Sequence, residues 1–438
     1  MSRKILFVAM SNSPHAARWI QLIADEGWDL HLFPVYSAQP HSYLRNITIH
    51  KPWRELQPFS NWKMLLHDPS SFFSKRLAKN QNNPSQIIIK NIYPFPVVSS
   101  LNRALSHLKS APLGESDVCA PLPYGPHVLA RLIKKLKPTL IHSMEFQHAG
   151  YNVLRAKELI GSKKFPKWLA TNWGSDIYHY RQFNDHHQQI TRLLKNLDYY
   201  SCECHRDIDI ARQMGLVAKT MPVFPNTGGF DIPALSKIRE RIAPASRRLI
   251  MIKGYQHFAG RALVALEAVK TCVDILLARN YKIIIFSPSI EIFDQVEKMR
   301  QQYDLNIETL GYAPHEKMLE LFAEARLYLG VSVSDAISTS MLEAMAMGAF
   351  PIQTNTSCCE EWIKDSVSGF IIPPDDIAYI GKRIRQALVD DALVTQASNF
   401  NWNTVCNRLD QKLLKQKEIL FYNEIFSDVE FNKKSKSI

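Results

Sequence analysis

Short, continuously apolar segments alternate with amphipathic helical segments along most of this chain. Residues 4–10 form an apolar run of the kind buried on both faces of a parallel sheet, residues 15–26 carry apolar side chains at helical spacing, and residues 29–34 form the next apolar run. The same order recurs from residue 249 to residue 389. This repeated order predicts a doubly wound α/β architecture with parallel sheets.

Two such series predict two domains, because 438 residues are more than a single hydrophobic core usually organises. The predicted organisation is an N-terminal Rossmann-like domain at residues 1–231, a linker at 232–246, a C-terminal Rossmann-like domain at 247–400, a helix packing back on the first domain at 401–431, and a disordered tail at 432–438. Open sheets of this kind bind ligands at the carboxyl ends of their strands, so we expect the two domains to face each other across a ligand cleft.

Residues 36–120 depart from the strand–helix order. They are rich in Pro, Asn, Ser and basic residues, and they predict an irregular insertion of loops and short helices on the first domain. Amphipathic pieces at residues 71–79 and 101–108 are the parts of this insertion suited to contact a partner or a membrane surface.

Charge and composition narrow the function classes. The formal net charge of +12 suits a protein whose ligand or working surface is anionic, although a solvated basic surface is equally consistent with the charge alone. Seven cysteines without zinc-site spacing predict neither a disulfide framework nor a metal site. With no run of about 18 apolar residues and no signal-like N-terminus, we expect a cytoplasmic protein, with peripheral membrane contact as a further option.

Residues 331–348 are the most informative stretch for function. They read as a strand end, a loop of small hydroxylated residues and a short apolar helix stopped by Gly348, with Asp335 and Glu343 eight positions apart. A loop that leads into a helix N-terminus gathers unpaired backbone N–H groups and the positive end of the helix dipole. We therefore expect this stretch to bind a phosphate.

The same residues also allow a purely structural interpretation. Ser340 and Glu343 spell Ser-x-x-Glu, the signature of a helix capping box, in which the glutamate folds back onto a backbone N–H group. Under that interpretation Glu343 stabilises the helix and binds no ligand.

The chain resembles the family 4 retaining glycosyltransferases of the GT-B fold, over residues 4–389 and most specifically in the acid pair. The family has Glu, seven residues, Glu, and this chain has Asp335 and Glu343 at those positions. The resemblance implies that Asp335 contacts the donor sugar, that Glu343 fixes the ribose, and that the backbone between them holds the diphosphate. The residues expected to bind the donor are Lys253, Gly254, Tyr312, Ser338, Thr339, Ser340 and Glu343.

The diphosphate clamp of the family, usually an Arg and a Lys, is displaced in this chain. The matching positions hold Tyr255 and Gly260, and Arg261 follows one residue later. We expect Arg261 to act as the cationic clamp, with Lys253 as the alternative.

A second departure precedes the Gly-Ser-Asp element of the first domain, where the family commonly has a histidine and this chain has Trp173. A tryptophan cannot exchange a proton, so Trp173 is expected to stack on a sugar face. His15, after the first strand, is the preferred source of the lost polar contact, ahead of His142, His148 and His179. The residues expected on the acceptor or sugar side are Ser13, Trp173, Gly174, Asp176 and Asn226.

Two acidic motifs have a structural interpretation that we prefer to metal binding. Asp207 and Asp209 have the Asp-x-Asp form, but in a helix this spacing splays the side chains about 200° apart, so we expect a solvated face. Asp375 and Asp376 follow two prolines and predict a helix N-cap. We expect no metal and no cofactor; the nucleoside diphosphate sugar, with UDP or GDP, is a co-substrate.

The resemblance implies a retaining hexosyltransferase that passes a sugar to a glycan, lipid-linked or small-molecule acceptor, as in the synthesis of cell-envelope polysaccharide, with no nucleic-acid partner. Within enzymes, the alternatives are a nucleotide-sugar epimerase or a phosphorylase on the same fold. From other classes, the alternatives are a degenerate sugar-nucleotide binding protein, given the departures at Asp335 and Trp173, and a basic membrane-binding module.

Overall fold

The computed structural model describes residues 3–36, 38–51, 87–91 and 125–434. The chain divides into two compact units, each built on a parallel sheet. The first unit comprises Met1–Thr171, Asn196–Tyr199 and Asn423–Ile438, and the second comprises Asn172–Lys195 and Tyr200–Tyr422.

The first unit is built on parallel strands that lie mostly buried. The strands are β1 (Lys4–Ala9), β2 (Asp29–Pro34), β3 (Ile47–Lys51), β4 (Ile87–Asn91), β5 (Leu140–Met144) and β6 (Lys167–Thr171). They are ordered β4-β3-β2-β1-β5-β6, and each neighbouring pair is parallel. The continuous apolar run of β1 therefore occupies the centre of the unit, as predicted from its lack of polar alternation.

Helices follow these strands and carry the apolar faces that cover the sheet. They are α1 (Pro14–Ile23), α2 (Gly125–Leu136) and α3 (Tyr151–Ile160), the last preceded by a π-helical turn at Phe146–Gly150. The end of the chain also belongs to this unit. The ring of Phe426 packs edge-on against Trp28 at 5.6 Å, and the Arg3 guanidinium lies over both rings.

The segment predicted to be an irregular insertion contributes two regular strands, β3 and β4. They pair with each other in register, and β3 pairs with β2. Their alternating or consecutive isoleucines favour extended backbone, a signal that the surrounding Pro, Asn and Ser residues concealed. The helices predicted at residues 71–79 and 101–108 lie outside the described residues.

The chain between β6 and β9 forms a series of short elements. These are α4 (Ser175–Tyr178), α5 (Asn184–Leu194), β7 (Tyr199–Ser201), α6 (His205–Gln213), β8 (Lys219–Thr220) and α7 (Ile232–Arg239). Helix α7 lies inside the stretch predicted as a linker. It begins after Asp231, whose side chain accepts a hydrogen bond from the Ala234 N–H group, so the polar residues taken for a loop include a helix N-cap.

The second unit has its own parallel sheet. Its strands are β9 (Leu249–Lys253), β12 (Lys282–Phe286), β13 (Ile307–Leu310), β14 (Ala325–Gly330), β15 (Phe350–Thr354) and β16 (Phe370–Ile372), in the order β13-β12-β9-β14-β15-β16. All neighbouring pairs are parallel. A small antiparallel hairpin, β10 (Gln256–His257) with β11 (Gly260–Arg261), follows β9.

Helices pack on this sheet and bury a large apolar core against it. They are α8 (Ala262–Lys270), α9 (Val273–Ala278), α10 (Ile290–Tyr303), α11 (His315–Glu324), α12 (Thr339–Met347), α13 (Ile377–Val389) and α14 (Asp391–Leu409). The helical stretch between β11 and β12 is divided into two helices, α8 and α9. The break lies at Thr271, whose hydroxyl donates to the Ala268 carbonyl and competes with the helical pattern.

The C-terminal helix α15 runs over Gln411–Lys434, beyond residue 432, where the sequence predicts the start of a disordered tail. Residues 435–438 lie outside the described residues. Among the helices that the structure describes, none has both the length and the hydrophobicity to span a lipid bilayer. The two parallel-sheet domains predicted from the sequence are thus present.

Candidate functional site

The stretch 331–348 folds as a loop followed by a helix. We call residues 331–338 the β14–α12 loop; it runs from the end of β14 to Ser338, the N-cap of α12. The Ser338 side chain is buried, and its hydroxyl lies 3.1 Å from the Tyr328 hydroxyl. Thr339 and Ser340 form the first turn of α12, so their backbone N–H groups belong to its positive end. Gly348 ends the helix in the left-handed conformation, at φ 81°.

Glu343 does not form the capping box that its spacing from Ser340 allows. The N-cap is Ser338, so Ser340 lies inside the helix, and no side chain caps its N-terminus. The Glu343 carboxylate instead accepts a hydrogen bond from His315 Nε2 at 2.8 Å, and Glu343 itself is 7% exposed. The capping-box interpretation is therefore wrong, and Glu343 is held by a side chain from α11.

Asp335 lies in the middle of the β14–α12 loop beside a lysine. Lys253 Nζ donates to Asp335 Oδ2 at 3.5 Å, and the other oxygen, Oδ1, accepts from the Ala336 N–H group at 3.0 Å. The Lys253 side chain is 10% exposed and that of Asp335 is 22% exposed. The pair is thus largely shielded from solvent, where its charges are weakly screened.

Lys253 reaches this position because it is the last residue of β9, whose carboxyl end adjoins that of β14. The next residue, Gly254, has no room for a side chain. A Cβ there would lie 2.7 Å from Pro288 Cα and 2.8 Å from the Phe286 carbonyl oxygen. The close approach of the backbone at Gly254 turns the chain away immediately after Lys253.

Arg261, the preferred cationic clamp in the sequence analysis, has a different partner. Its guanidinium donates to Asp375 Oδ1 at 2.8 Å, and the two side chains are 37% and 70% exposed. The neighbouring Asp376 is the N-cap of α13, as predicted, and accepts from the Tyr379 N–H group. Of the two candidate cations, the structure therefore brings Lys253 and not Arg261 to Asp335.

The β10–β11 hairpin supports the β14–α12 loop from one side. The Phe258 carbonyl accepts from the N–H groups of Val333 at 3.0 Å and Ser334 at 3.1 Å. The ring of Phe258 stacks on His179, with centroids 4.7 Å apart. His179 is half-buried, and burial lowers its pKa, so this histidine is a neutral stacking partner at pH 7.

Gly174 meets the same loop on another side, next to Trp173 in the chain. A Cβ on Gly174 would lie 2.2 Å from the Ala336 backbone nitrogen, and its φ of +91° suits glycine. The Trp173 N–H group donates to Asp176 Oδ1 at 2.8 Å, and Asp176 is 4% exposed. Ser334 is also tied here, because its hydroxyl donates to Ser175 Oγ at 2.9 Å.

Arg206 is a residue that the sequence analysis did not assign to the site. Its guanidinium donates to the main-chain carbonyls of Asp335 at 2.9 Å and Thr356 at 2.8 Å, and it pairs with Asp207 at 2.9 Å. The Asp207 side chain is 0% exposed, so the predicted solvated face is wrong for this residue. Asp209, 70% exposed, does lie on such a face, since the two side chains splay apart as predicted.

Glu203 is a second residue that the sequence did not indicate. Its partner is Asn226, which was predicted for the sugar side. Glu203 Oε1 accepts a hydrogen bond from the Asn226 backbone N–H group at 2.6 Å. Burial raises the pKa of the Glu203 carboxyl to about 8; the hydrogen bond from Asn226 opposes that shift, and the negative charges of Asp335 and Asp207 add to it. Glu203 is therefore mostly protonated at neutral pH.

Two predicted residues of the first unit, Ser13 and His15, follow the carboxyl end of its central strand, β1. Ser13 is the N-cap of α1, where its hydroxyl oxygen accepts from the Ala16 N–H group at 3.4 Å, and His15 lies in the first turn. His142 is completely buried 2.7 Å from the Thr171 hydroxyl, and burial lowers its pKa to about 3. His142 is therefore a neutral core residue.

His148, also in the first unit, lies beside a carboxylate. Its Nδ1 lies 3.3 Å from Glu145 Oε2. Burial acts to lower the pKa of His148, but the charge of Glu145 and its hydrogen bond outweigh this and raise it. Glu145 also caps the π-helical turn, and its φ of 80° is unusual for a residue with a side chain.

Tyr312 was predicted to bind the donor. It lies in the loop between β13 and α11 and is 98% exposed, so the described protein groups leave its ring in solvent.

One group of described residues has the composition of a metal site. The ligand atoms of Cys204, Asp207 and Cys358 lie within 4.8 Å of one another, and all three residues are buried. Both oxygens of Asp207 are already engaged, one by Arg206 and the other by Asn172 at 2.7 Å. The guanidinium of Arg206 against this carboxylate disfavours a second cation, and the geometry is that of a hydrogen-bonded core.

Few features of the sequence indicate Glu203, Arg206 or His315 as residues of the site. Glu203 and Arg206 follow the strand β7, and a position after a strand end was the only indication that they would face a ligand. His315 is 28 positions from Glu343, and nothing in the spacing indicates that the two side chains meet.

Two family models match this chain. The model described as "Glycosyl transferases group 1" matches residues 259–402, and the model described as "Glycosyl transferase 4-like" matches residues 127–201. The first match contains the whole β14–α12 loop and helix α12.

Curated relatives match over short segments. O-antigen chain mannosyltransferase B of Escherichia coli is 31% identical over 104 residues, which are 22% of this chain and 27% of that protein. The gpi3 subunit of phosphatidylinositol N-acetylglucosaminyltransferase from Schizosaccharomyces pombe is 24% identical over 125 residues, 26% of this chain and 27% of that protein. The chain thus matches about a quarter of the length of each relative.

Solved structures match over nearly the whole chain. Sucrose-phosphate synthase from Thermosynechococcus elongatus superposes with a TM-score of 0.63 at 14% identity, over 97% of this chain and 100% of that one. HepE from Anabaena, solved in complex with UDP-glucose, superposes with a TM-score of 0.59 at 14% identity, over 96% and 99% of the two chains. At this identity the likeness shows a common fold.

Proposed function

This chain belongs to the group 1, family 4-type glycosyltransferases, and we propose that it moves a hexose from a nucleoside diphosphate sugar to an acceptor hydroxyl with retention of configuration. The observation that carries the proposal is the ion pair of Lys253 and Asp335, 3.5 Å apart, beside the N-terminus of α12. It combines a cation, a carboxylate and the first-turn amides of a helix in one place.

The diphosphate is the group for which these positive charges are suited. Negative charge builds on it as the bond to the sugar breaks, and fixed dipoles and a buried cation stabilise that charge without reorganising. The first-turn N–H groups of Thr339 and Ser340 and the ammonium of Lys253 supply both. Lys253 takes the role that the sequence analysis preferred for Arg261, and the reaction proposed needs no metal.

The two carboxylates hold the two ends of the donor. Asp335 accepts hydrogen bonds from sugar hydroxyls, and Glu343 accepts them from the ribose diol. The 2.8 Å hydrogen bond from His315 orients the Glu343 carboxylate for this second role. Support for UDP as the nucleotide comes from the fold of HepE, which was solved with UDP-glucose, and GDP is the other candidate.

The proposed step is a front-face displacement. The bond between the sugar C1 and the diphosphate oxygen breaks, the acceptor oxygen bonds to C1 on the same face, and a phosphate oxygen of the leaving group takes the acceptor proton. Neither Asp335 nor Glu343 acts as a base. The acceptor is a glycan, a lipid-linked sugar or a small molecule, and the mannosyltransferase relative supports a polysaccharide among these.

Substitution of the two acids tests the proposal. We expect Asp335→Ala to lower turnover at least about 100-fold with little change in the Kd of the nucleoside diphosphate, and Glu343→Gln to weaken nucleotide binding about 10-fold, since a hydrogen bond to a charged group contributes about 1.5–3 kcal/mol. Calorimetric titration with UDP and GDP, and donor consumption with acceptor present, measure both effects.

Asp209→Ala, on the exposed face of α6, is the matched control and is expected to leave both quantities unchanged. Full donor binding and turnover in the Asp335→Ala, Glu343→Ala double variant would show that the site lies elsewhere.

Incubation with donor alone distinguishes an epimerase, which needs no acceptor, and the family match favours transfer. A thermal-shift panel of nucleotide-sugars then identifies the donor, because a ligand that binds only the folded state raises the Tm.

A further inference from the structure

Residues 203–207 are held against the β14–α12 loop and its neighbours. The Arg206 guanidinium donates to the Asp335 carbonyl at 2.9 Å, and the sulfur of Cys204 lies 2.8 Å from that of Cys358. The side chain of His205 lies 3.0 Å from a Glu361 oxygen. These contacts fix the backbone that carries Glu203 relative to Asp335.

Glu203 itself takes no part in those contacts. The residue is 7% exposed, and its Oε1 accepts the hydrogen bond from the Asn226 N–H group at 2.6 Å. Arg206, three residues further along the chain, donates to the Asp335 carbonyl at 2.9 Å, and the charge of Asp335 contributes to the raised pKa of Glu203. A buried carboxyl therefore lies on the segment that holds the acid proposed to contact the sugar.

The amide of Asn226 points to a missing ligand. Asn226 is 1% exposed, and neither Nδ2 nor Oδ1 of its side chain has a hydrogen-bond partner among the described residues. A buried polar group left unpaired costs about 1–3 kcal/mol, so such groups normally have a partner. A ligand hydroxyl, which both donates and accepts, satisfies an amide of this kind.

We propose that Glu203 is a positioning and specificity residue of the sugar subsite: it holds Asn226 in place, and with Asn226 and Asp335 it binds the hydroxyls of a neutral hexose while rejecting a uronic acid. This inference rests on the proposed function, because it takes the sugar to lie at Asp335.

The charges around Glu203 and Asn226 determine which sugars the proposed subsite accepts. Asp335 is paired with Lys253, and Asp207 with Arg206, so each cation near Glu203 already has an anionic partner. Glu203 therefore remains a neutral carboxylic acid, able to donate from its hydroxyl as well as accept. A carboxylate on the sugar would meet the negative charge of Asp335, and this like-charge contact would oppose its binding.

Two substitutions of Glu203 distinguish the role of its hydrogen bond to the Asn226 N–H group from the role of its ionisable carboxyl. Glu203→Gln keeps an acceptor for the Asn226 N–H group and a neutral donor, so we expect turnover within about threefold of the wild type at pH 7. Glu203→Ala removes both, and we expect kcat/KM for the donor to fall at least about 30-fold while the Kd of UDP or GDP changes little.

The pH profile provides a readout that a merely structural role would not alter. As pH rises through about 8, the wild-type Glu203 ionises and donor turnover is expected to fall. The turnover of Glu203→Gln, which cannot ionise at this position, is expected to stay constant over the same pH range. The control is Glu430→Gln, an exposed glutamate on α15, which should keep the wild-type profile.

The sugar preference is tested with donors that differ in one carboxylate. If the protein binds UDP, the Kd values of UDP-glucose and UDP-glucuronic acid are compared; if it binds GDP, those of GDP-mannose and GDP-mannuronic acid are compared. We expect the donor with the neutral sugar to bind at least about 10-fold tighter. Failure of both UDP and GDP to bind the wild type would refute the proposed function. Nucleotide binding with undiminished turnover in Glu203→Ala, or equal affinity for the two sugars, would refute this inference alone.

Discussion

Gly174 shows how tightly single residues define the surroundings of Asp335. A Cβ at Gly174 would lie 2.2 Å from the backbone nitrogen of Ala336, the residue that follows Asp335. Its φ of +91° adds a second reason for glycine. The contact sets the position of the β14–α12 loop through backbone atoms, which cannot move aside as a flexible side chain would.

We expect Gly174→Ala to lower the free energy of unfolding by about 3 kcal/mol, combining backbone strain of about 1 kcal/mol with overpacking of about 1–3 kcal/mol. Gly161→Ala is a matched control, because Gly161 has a similar φ of +88° but no atom within 4 Å of its Cβ position. That control should lose only the strain component. Urea unfolding measures both, and equal losses would show that the contact with Ala336 is relieved at no cost.

At the scale of elements, α15 carries a buried acid without a visible function. Glu418 lies within Gln411–Lys434, is 0% exposed, and neither of its carboxyl oxygens has a hydrogen-bond partner among the described residues. Burial raises the pKa of Glu418 well above its usual value. Folding therefore favours the protonated form of this side chain.

The sign of the pH effect follows from the proton count. Between the unfolded pKa of about 4.3 and the raised folded pKa, the folded chain holds a proton at Glu418 that the unfolded chain has lost, so this group makes stability fall as pH rises. Glu418→Gln, which cannot ionise, is expected to remove this contribution and to be more stable than the wild type at pH 8. Melting temperatures from pH 5 to pH 8, with Glu430→Gln on the same helix as control, measure the effect; parallel curves for all three proteins would contradict it.

At the scale of the whole molecule, the net charge of +12 makes contact with an anionic membrane surface a testable property. The Debye length falls from about 30 Å at 0.01 M salt to about 3 Å at 1 M, so binding by charge alone weakens as salt is added. We expect co-sedimentation with phosphatidylglycerol vesicles at low salt, at least a tenfold loss on raising the salt to about 0.5 M, and no binding to phosphatidylcholine vesicles. Binding that is insensitive to salt would refute a charge-driven contact.

Much of the fold follows from local patterns. The predicted strand at residues 29–34 coincides with β2, and the helical spacing at residues 15–26 corresponds to α1, because burial on both faces and helical spacing are visible in consecutive residues. The strands β3 and β4 were missed, since their short apolar runs lie in a polar segment and gain stability from pairing with β2 and with each other.

The sequence alone determined the two α/β sheets and the order of loop and helix that places Asp335 and Glu343 at the site. Only the tertiary structure decided their partners: Lys253 is 82 positions from Asp335, His315 is 28 positions from Glu343, and Glu203 meets Asn226 across 23 positions. The physical reason is that hydrophobic periodicity reports the local backbone and its burial. Which charged side chain reaches a given carboxylate depends on the register and packing of strands that are distant in the sequence, as the contrast between Lys253 and Arg261 shows.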